Sequence, residues 1–267
     1  MSSYAITGAS KGLGREFVRQ LATDPNNTVL AIVRNPESPG VSELASQYAN
    51  VHLIAGDVTD PKSILNAASA AAAITGGKLD VLIHNSNAVD AATMSFNPSQ
   101  FPFDSEATRA MFEPSLTTAI YGGLWTTNAF LPLIEKGVQK KIVHISSAMA
   151  EVDLIRGTGI SYGVAYSVAK AGMNVQIAKY AAELAPRGIK VLGLSPGWVD
   201  TWEGEKPSAV VEGDAFMLKQ FQTIAPSLEG QIQPEESVAK SIQVIANMDD
   251  ESSGLLLSHN GNRENWF

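Results

Sequence analysis

Residues 4–14 read YAITGASKGLG, and this stretch decides the fold. A short extended run, Tyr4–Thr7, passes directly into a turn that carries Gly8, Gly12 and Gly14. The first glycine permits a tight turn, the second lets a bound group approach the backbone, and the third lets a following helix pack closely. A helix that begins here directs free N–H groups at one point, which favours binding of a pyrophosphate. The alternative is a glycine-rich turn that binds nothing, because a lone glycine triplet is weak evidence.

The rest of the chain repeats an apolar run followed by a helical pattern. The predicted strands are Tyr4–Thr7, Val29–Val33, Val51–Ala55, Val81–His84, Lys141–Ile145, Lys190–Leu194 and Leu255–Ser258. They are rich in β-branched residues and lack two-residue alternation, which is typical of strands buried on both faces. The predicted helices are Gly14–Thr23, Val41–Ala49, Ile64–Ile74, a long one from about Ser105 to Lys136 with a break near Pro114, Tyr166–Ala185 and Pro234–Asn247.

This alternation indicates parallel strands joined by right-handed crossovers. We therefore predict an α/β fold, a single doubly wound Rossmann domain over residues 1–267, with a parallel sheet of about seven strands and helices on both faces. The segment Asp200–Leu228 interrupts the alternation and carries aromatic residues and prolines. It is predicted to form a helical flap over the carboxyl ends of the strands, where ligands bind in such sheets.

Composition and charge exclude several classes of protein. The chain has 267 residues, with 19 Lys and Arg against 27 Asp and Glu, so its formal charge is −8. This balance disfavours a nucleic-acid groove, which needs clustered basic residues. No cysteine is present, which excludes disulfides, thiolate metal sites and a cysteine nucleophile, and the four histidines lack metal-ligand spacing. No targeting or membrane-spanning pattern is found, so we expect a cytoplasmic protein without a membrane partner.

Two basic residues lie where a dinucleotide would place the 2′ position of its adenosine ribose. NAD-binding proteins usually have an acidic residue at the end of the second strand, whereas this chain has Arg34. Lys11 lies inside the glycine loop, and two cations suit a 2′-phosphate through charge-assisted hydrogen bonds. The alternative is that both are ordinary solvated charges. Asp57, after the third strand, suits the adenine amino group, or else it caps the turn that Thr59–Pro61 begins.

A serine and a tyrosine–lysine pair form the candidate catalytic group. Ser147 follows the predicted strand that ends at Ile145, and Tyr166 and Lys170 lie four residues apart near the start of a helical pattern, so they share one helix face. A free tyrosine titrates at about 10, but a nearby ammonium lowers the phenol pKa. The pair is therefore a usable acid and base, and the serine hydroxyl suits a substrate oxygen. Such a pair also occurs on ordinary helices.

Together these motifs resemble the short-chain dehydrogenase/reductase family, in particular its carbonyl-reductase and ketoreductase-like branch. The resemblance covers nearly the whole chain and follows the family's order. The matching segments are the TGxxxGxG loop at Thr7–Gly14, the adenine-site Asp57, Ser147, the YxxxK pair at Tyr166 and Lys170, the PGWVDT segment at Pro196–Thr201 and the C-terminal Ser253–Trp266. Ketoreductases of secondary metabolism in this branch often share the RNP sequence that stands at Arg34–Pro36.

The resemblance implies an oxidoreductase that uses NADP(H) to reduce a ketone or aldehyde, or to oxidise the alcohol. Ser147 would bind the substrate oxygen, Tyr166 would exchange its proton, and Lys170 would hold the nicotinamide ribose and lower the tyrosine pKa. The implied cofactor-binding residues are Gly8, Ser10, Lys11, Gly12, Leu13, Gly14, Arg34, Asp57, Val58, Asn85, Tyr166, Lys170, Pro196, Gly197, Val199 and Thr201. The family is usually dimeric or tetrameric, so a homo-oligomer is expected.

Two positions depart from the family's pattern. The NNAG segment after strand four is Asn85-Ser86-Asn87 here, preceded by His84, so asparagine replaces a glycine whose left-handed geometry it tolerates. Counting back from Leu131 places the family's catalytic asparagine, which holds a water in a proton relay with the lysine, at Ala119. Its absence keeps a second hypothesis open: an NADP-binding protein with lost or secondary redox activity, such as a regulatory sensor or a non-redox isomerase or cyclase.

The substrate walls are predicted at Ala88–Phe103, Glu151–Tyr162 and Asp200–Leu228. The second arises because Ser147 and Tyr166 lie 19 positions apart, further than is common in the family. These walls and their surroundings supply Met94, Phe96, Phe101, Phe103, Trp198, Trp202, Phe216 and Met217. Such a lining favours a bulky apolar or aromatic small molecule, such as an intermediate of secondary metabolism. The alternatives are that the inserted residues lie on the surface and that many of the aromatic residues only pack.

Overall fold

In the part of the chain that the structure describes, seven parallel strands form one sheet, as predicted. The computed structural model describes residues 1–90 and 92–267. The strands are β1 Ser3–Thr7, β2 Thr28–Val33, β3 Val51–Ala55, β4 Val81–His84, β5 Lys141–Ile145, β6 Lys190–Ser195 and β7 Leu256–Ser258. Their order is β3-β2-β1-β4-β5-β6-β7, and each neighbouring pair is parallel. The chain reverses its direction of winding between β1 and β4, the place where ligands bind in open α/β sheets.

Helices cover both faces of the sheet. They are α1 Gly12–Ala22, α2 Pro39–Gln47, α3 Pro61–Thr75, α4 Ser105–Leu116, α5 Gly122–Ile134, α6 Val152–Thr158, α7 Val164–Leu184, α8 Ser208–Phe221 and α9 Pro234–Ala246. Strand residues alternate between the faces: Leu82 packs with Phe130 and Met173 of α5 and α7, whereas the adjacent Ile83 packs with Phe17 of α1. This burial on both faces explains why the strands show continuous apolar runs. The predicted fold class is therefore confirmed.

The long helical region after residue 105 differs from the prediction. Pro114 lies inside α4, and the irregularity is a π-helical stretch at Thr117–Tyr121, after which α5 continues. Proline removes one backbone donor and crowds the preceding turn, and a wider turn absorbs that misfit without ending the helix. Helix α6 was not predicted, because it is short and contains a glycine; Gly159 ends it in the left-handed conformation at φ 68°.

A smaller apolar cluster lies apart from the two faces of the sheet. It joins α6, α8 and the C-terminal residues through Leu154, Ile160, Phe221 and Trp266. The segment 200–228 is thus packed on the body of the protein through Phe221, whose ring is 4.4 Å from that of Phe267 between centroids. Within the described residues, none of the helices has the length and apolar character needed to cross a membrane.

Candidate active site

The glycine loop between β1 and α1 forms a close-packed cradle. Gly8 and Gly12 have φ of 65° and 53°, and a Cβ on Gly14 would lie 2.3 Å from the carbonyl oxygen of Gly8. No side chain can therefore be added at Gly14 without moving the loop. Helix α1 begins at Gly12, and Lys11 at its N-cap makes no side-chain capping bond. The first N–H groups of α1 are available to an anion, so this cradle fits a pyrophosphate.

The residues predicted to bind the adenosine half lie around this cradle. Lys11 and Arg34 are exposed, at the glycine loop and directly after β2. Asp57 follows β3, and its Oδ1 accepts hydrogen bonds from the backbone N–H (2.9 Å) and hydroxyl (2.8 Å) of Thr59. The local turn interaction considered for Asp57 is thus present, and a role toward adenine stays a prediction. The cap of helix α3 is Asp60, whose side chain accepts from Lys62 N.

The candidate catalytic residues come together where β5 ends and α7 begins. They are Ser147, Tyr166 and Lys170. Ser147 lies in the turn after β5, where its hydroxyl accepts a hydrogen bond from Met149 N at 3.1 Å, and it is near enough to Tyr166 to affect the pKa of that phenol. Lys170 is only 2 % exposed. Its Nζ donates to the carbonyl oxygen of Ile145 at 2.7 Å and lies 5.8 Å from the centroid of the Tyr166 ring. The three predicted groups therefore share one site.

The electrostatics of this group correct one expectation. Burial lowers the pKa of Lys170 to about 7, because the protein withholds water from its ammonium. Burial also raises the pKa of the Tyr166 phenol, and the nearby Ser147 hydroxyl only opposes that effect. The expected lowering of the Tyr166 pKa by Lys170 is wrong for the protein alone, since desolvation of the phenolate exceeds any gain from the ammonium. Tyr166 is thus held as a protonated phenol, which is a proton donor.

The segment after β6 passes over the glycine loop. Gly197 has φ 89°, and a Cβ there would lie 2.8 Å from Cε1 of His259. Val199 pairs with Ile232 in an isolated bridge, and the Thr201 side chain lies 3.6 Å from the Cβ position of Gly12. Of the predicted cofactor-binding residues in this segment, Thr201 is therefore adjacent to the cradle.

Ion pairs form within the segment 200–228 and between this segment and helix α1. Lys206 Nζ lies 2.9 Å from carboxylate oxygens of both Asp200 and Asp214. Nearer the cradle, Glu203 forms a 2.9 Å ion pair with Arg15 on the first turns of α1. The segment contains helix α8, and its beginning is linked directly to the helix that follows the glycine loop.

The three predicted substrate walls contribute aromatic residues of two kinds. Phe101 contacts Phe96 and Phe112 at centroid distances of 5.8 and 5.4 Å, so these rings pack on one another. Phe103, Trp202 and Phe216 are exposed. Residue 91, within the wall predicted at Ala88–Phe103, lies outside the described residues. Among the described residues there is no group of three or more His, Cys, Asp or Glu side chains that could hold a metal ion.

Comparison with known proteins identifies the family. The family model described as short chain dehydrogenase matches residues 3–208. The chain belongs to the short-chain dehydrogenase family. Similar members are the short-chain dehydrogenase/reductase atnB of Arthrinium sp, 40 % identical over 268 residues with all of both chains covered, and AacuF of Aspergillus aculeatus, 39 % identical with 99 % of each covered. The NADPH-bound carbonyl reductase from chicken fatty liver has a similar structure, with a TM-score of 0.79 and 25 % identity over 100 % of this chain and 99 % of that one.

Sequence reasoning missed a buried histidine network that supports this short-chain dehydrogenase site. His84 lies at the end of β4. Its Nδ1 is 3.3 Å from Thr7 Oγ1, and its Nε2 is 3.2 Å from the Thr118 carbonyl oxygen. Because a carbonyl only accepts, Nε2 carries the proton, and burial lowers the His84 pKa to about 4, so the ring is neutral. Nδ1 then accepts from the Thr7 hydroxyl, and Thr7 Oγ1 in turn accepts from the backbone N–H groups of Asn85 at 3.1 Å and Ser86 at 3.2 Å.

The same network gives Asn85 a structural role. Its Nδ2 donates to the carbonyl oxygens of Thr7 and Gly8, both at 3.2 Å, and so fastens the glycine loop to the loop after β4. A direct contact of Asn85 with cofactor remains a prediction. The sequence contains one signal for His84, which is that a polar residue ends an otherwise apolar strand. It could not identify the hydrogen-bond partners of His84, because they lie 77 and 34 positions away.

The two departures from the family's pattern lie in this region. Among the described residues, Lys140 is the one non-glycine residue with a positive φ. Asn87 therefore does not adopt the left-handed conformation considered for it. Ala119 is fully buried in the π-helical stretch. Its neighbour Thr118 accepts a hydrogen bond from Ala88 N at 3.1 Å, so hydrogen bonds beside Ala119 still join this stretch to the loop after β4.

Proposed function

We propose that this short-chain dehydrogenase uses NADP(H) to interconvert a ketone or aldehyde and its alcohol. The proposed substrate is a bulky apolar or aromatic small molecule, such as an intermediate of secondary metabolism. One observation carries the proposal: Ser147, Tyr166 and Lys170 lie together at the end of β5 and the start of α7. Segment 200–228 is proposed to act as the flap of a single domain spanning residues 1–267.

The residues of the site are suited to proton exchange with a carbonyl oxygen. Ser147 would donate a hydrogen bond to that oxygen and orient it toward Tyr166. Tyr166, whose pKa is raised by burial, would give its proton to the oxygen as the alcohol forms, and would accept it in the reverse direction. Lys170, one helical turn further, would hold positive charge beside the phenolate that remains. NADPH, when bound, supplies the hydride.

The cofactor preference is inferred from the donor set around the cradle. The uncapped start of α1 suits the pyrophosphate, and the exposed Lys11 and Arg34 suit a 2′-phosphate, where an NAD-binding protein would have an acidic residue. The NADPH-bound carbonyl reductase with a similar structure supports this preference.

A second candidate function rests on Ala119. This position, expected to hold the asparagine of the proton relay, is a fully buried alanine. An NADP-binding sensor, or a non-redox isomerase or cyclase on the same scaffold, would tolerate that loss. Absorbance of the reduced nicotinamide separates the two, because only the reductase consumes NADPH when ketones and aldehydes are added.

The test of the proposed function is Tyr166→Phe, with Tyr180→Phe as the matched control. Tyr180 lies on the same helix, and its hydroxyl donates to Asn128 at 2.8 Å, far along the helix from the site. We expect Tyr166→Phe to lower kcat about 100-fold or more with NADPH binding retained, since positioned acid–base groups contribute that much. Tyr180→Phe should keep its activity. Undiminished turnover by Tyr166→Phe would remove Tyr166 from the chemistry.

A further inference from the structure

The short segment 161–163 lies where the predicted substrate walls meet. Ser161 Oγ donates to Asn97 Oδ1 at 2.6 Å, which joins the segment to the wall at residues 88–103. At Gly163, a Cβ would lie 3.7 Å from Cε of Met94 and 3.9 Å from Cε of Met149. The segment thus contacts both the loop after β4 and the turn that contains Ser147. It directly precedes α7, which carries Tyr166 in its first turn.

Tyr162, the middle residue of this segment, reaches the third wall. Its ring centroid is 6.1 Å from that of Phe216 on helix α8, with the ring planes 44° apart. It also packs against the small apolar cluster of Leu154, Ile160 and Phe221, together with Met149, Trp198 and Met217. Tyr162 therefore joins the insertion at 151–162 to the flap, at a place four residues before the proposed acid.

The Tyr162 hydroxyl has no hydrogen-bond partner among the described residues, although the atom is buried. A buried hydroxyl without a partner costs roughly 1–3 kcal/mol, so its retention among apolar side chains calls for a compensating role. Burial raises the Tyr162 pKa, so the phenol stays protonated and can donate. The contrast with Tyr180 is direct, because that buried phenol has a side-chain partner, Asn128.

We propose that Tyr162 is a specificity-determining residue whose hydroxyl donates a hydrogen bond to a second oxygen of the substrate, away from the reacting carbonyl. The preferred substrates are then aromatic or apolar carbonyl compounds that carry an additional hydroxyl or carbonyl group. A ligand oxygen that satisfies this donor removes the cost of leaving it unpaired, whereas a ligand without that oxygen leaves the cost in place. The inference rests on the proposed function, since it assumes that the walls enclose a carbonyl substrate.

Binding to the NADP⁺-loaded protein tests the inference without turnover. The probes are 1-tetralone and its 5-, 6- and 7-hydroxy derivatives, with dissociation constants measured by quenching of tryptophan fluorescence. The ketone group is common to all four, so any preference among them reports contacts away from Ser147 and Tyr166. We expect the wild type to bind at least one hydroxylated isomer about tenfold more tightly than 1-tetralone, and Tyr162→Phe to lose that preference while binding 1-tetralone as before.

Tyr180→Phe is the matched control and should keep the preference. Thermal unfolding separates a specificity role from a structural one: Tyr162→Phe should unfold at the same or a higher temperature than the wild type, whereas Tyr180→Phe should unfold at a lower one, because it loses a hydrogen bond. A preference that survives in Tyr162→Phe, no preference in the wild type, or a lowered melting temperature for Tyr162→Phe would overturn the inference. The proposed function fails separately, by the absence of NADPH consumption with any carbonyl compound.

Discussion

Replacing the buried ammonium of Lys170 should stabilise the protein while it destroys activity. Burial lowers the Lys170 pKa from 10.5 to about 7, which corresponds to a cost on the order of 5 kcal/mol for the charged form in the folded state. Lys170→Met removes that cost but leaves the Ile145 carbonyl without its 2.7 Å hydrogen bond, at ~1–3 kcal/mol. The net gain in unfolding free energy near pH 7 is therefore roughly 2–4 kcal/mol.

The sign of the pH dependence follows from the same shift. Between the folded pKa of about 7 and the unfolded pKa of 10.5, the unfolded state of the wild type binds more protons, so wild-type stability rises with pH in this window. Lys170→Met lacks this contribution, so its advantage in unfolding free energy should shrink by roughly 2–3 kcal/mol between pH 7.5 and 9.5. Below about pH 6, where Lys170 is charged in both the folded and the unfolded state, the advantage should be constant.

Urea unfolding of the cofactor-free protein at several pH values measures both quantities. The difference between variant and wild type cancels the other titrating groups. The exposed Lys179 on the same helix provides the control, because Lys179→Met removes an equal charge without relieving burial and should change neither the stability nor its pH dependence appreciably. A Lys170→Met protein that is less stable than the wild type, or whose difference from it is the same at all pH values, would refute the argument that burial sets the Lys170 pKa.

Two further predictions concern the cofactor. Arg34→Asp should lower the ratio of kcat/KM for NADPH to that for NADH by at least about tenfold, since it replaces a charge-assisted donor with a repelling carboxylate; an unchanged ratio would exclude Arg34 from the 2′-phosphate site. Glu203→Gln should speed release of NADPH about two- to fivefold, measured by stopped-flow fluorescence, because it breaks the ion pair with Arg15 that ties segment 200–228 to α1. Glu205→Gln, the same charge change two residues away, should release NADPH at the wild-type rate, and equal rates in all three proteins would contradict the role given to this pair.

The sheet could be predicted closely from the sequence because its determinants are local. A strand buried on both faces is a continuous apolar run, and predicted strands such as Val51–Ala55 and Lys141–Ile145 have the observed bounds. Helix α6 could not be predicted, because its stability comes from Leu154 packing in the small cluster with Phe221, 67 positions away, rather than from its own sequence.

The pKa values of Tyr166 and Lys170 depend on burial that only the folded structure shows. Sequence alone places Tyr166 and Lys170 on one helix face, and the structure brings them together with Ser147. Their pKa directions, however, follow from how much water the fold removes. An argument from the neighbouring charge alone therefore gave the wrong direction for Tyr166 in the absence of cofactor.

At Asn87 and Ala119 the sequence departs from the family's motif, yet the geometry of the loop after β4 is maintained by other residues. Here the loop after β4 is held by Thr7, His84 and Thr118, which come from three distant parts of the chain. Each link uses a backbone group or a neutral side chain, so the arrangement does not require the family's glycine or asparagine at those two positions. The loss of motif residues removes one relay group but leaves this scaffold in place. If Tyr166 is the proton donor as proposed, we therefore expect Ala119 to change the rate of proton exchange rather than to abolish it.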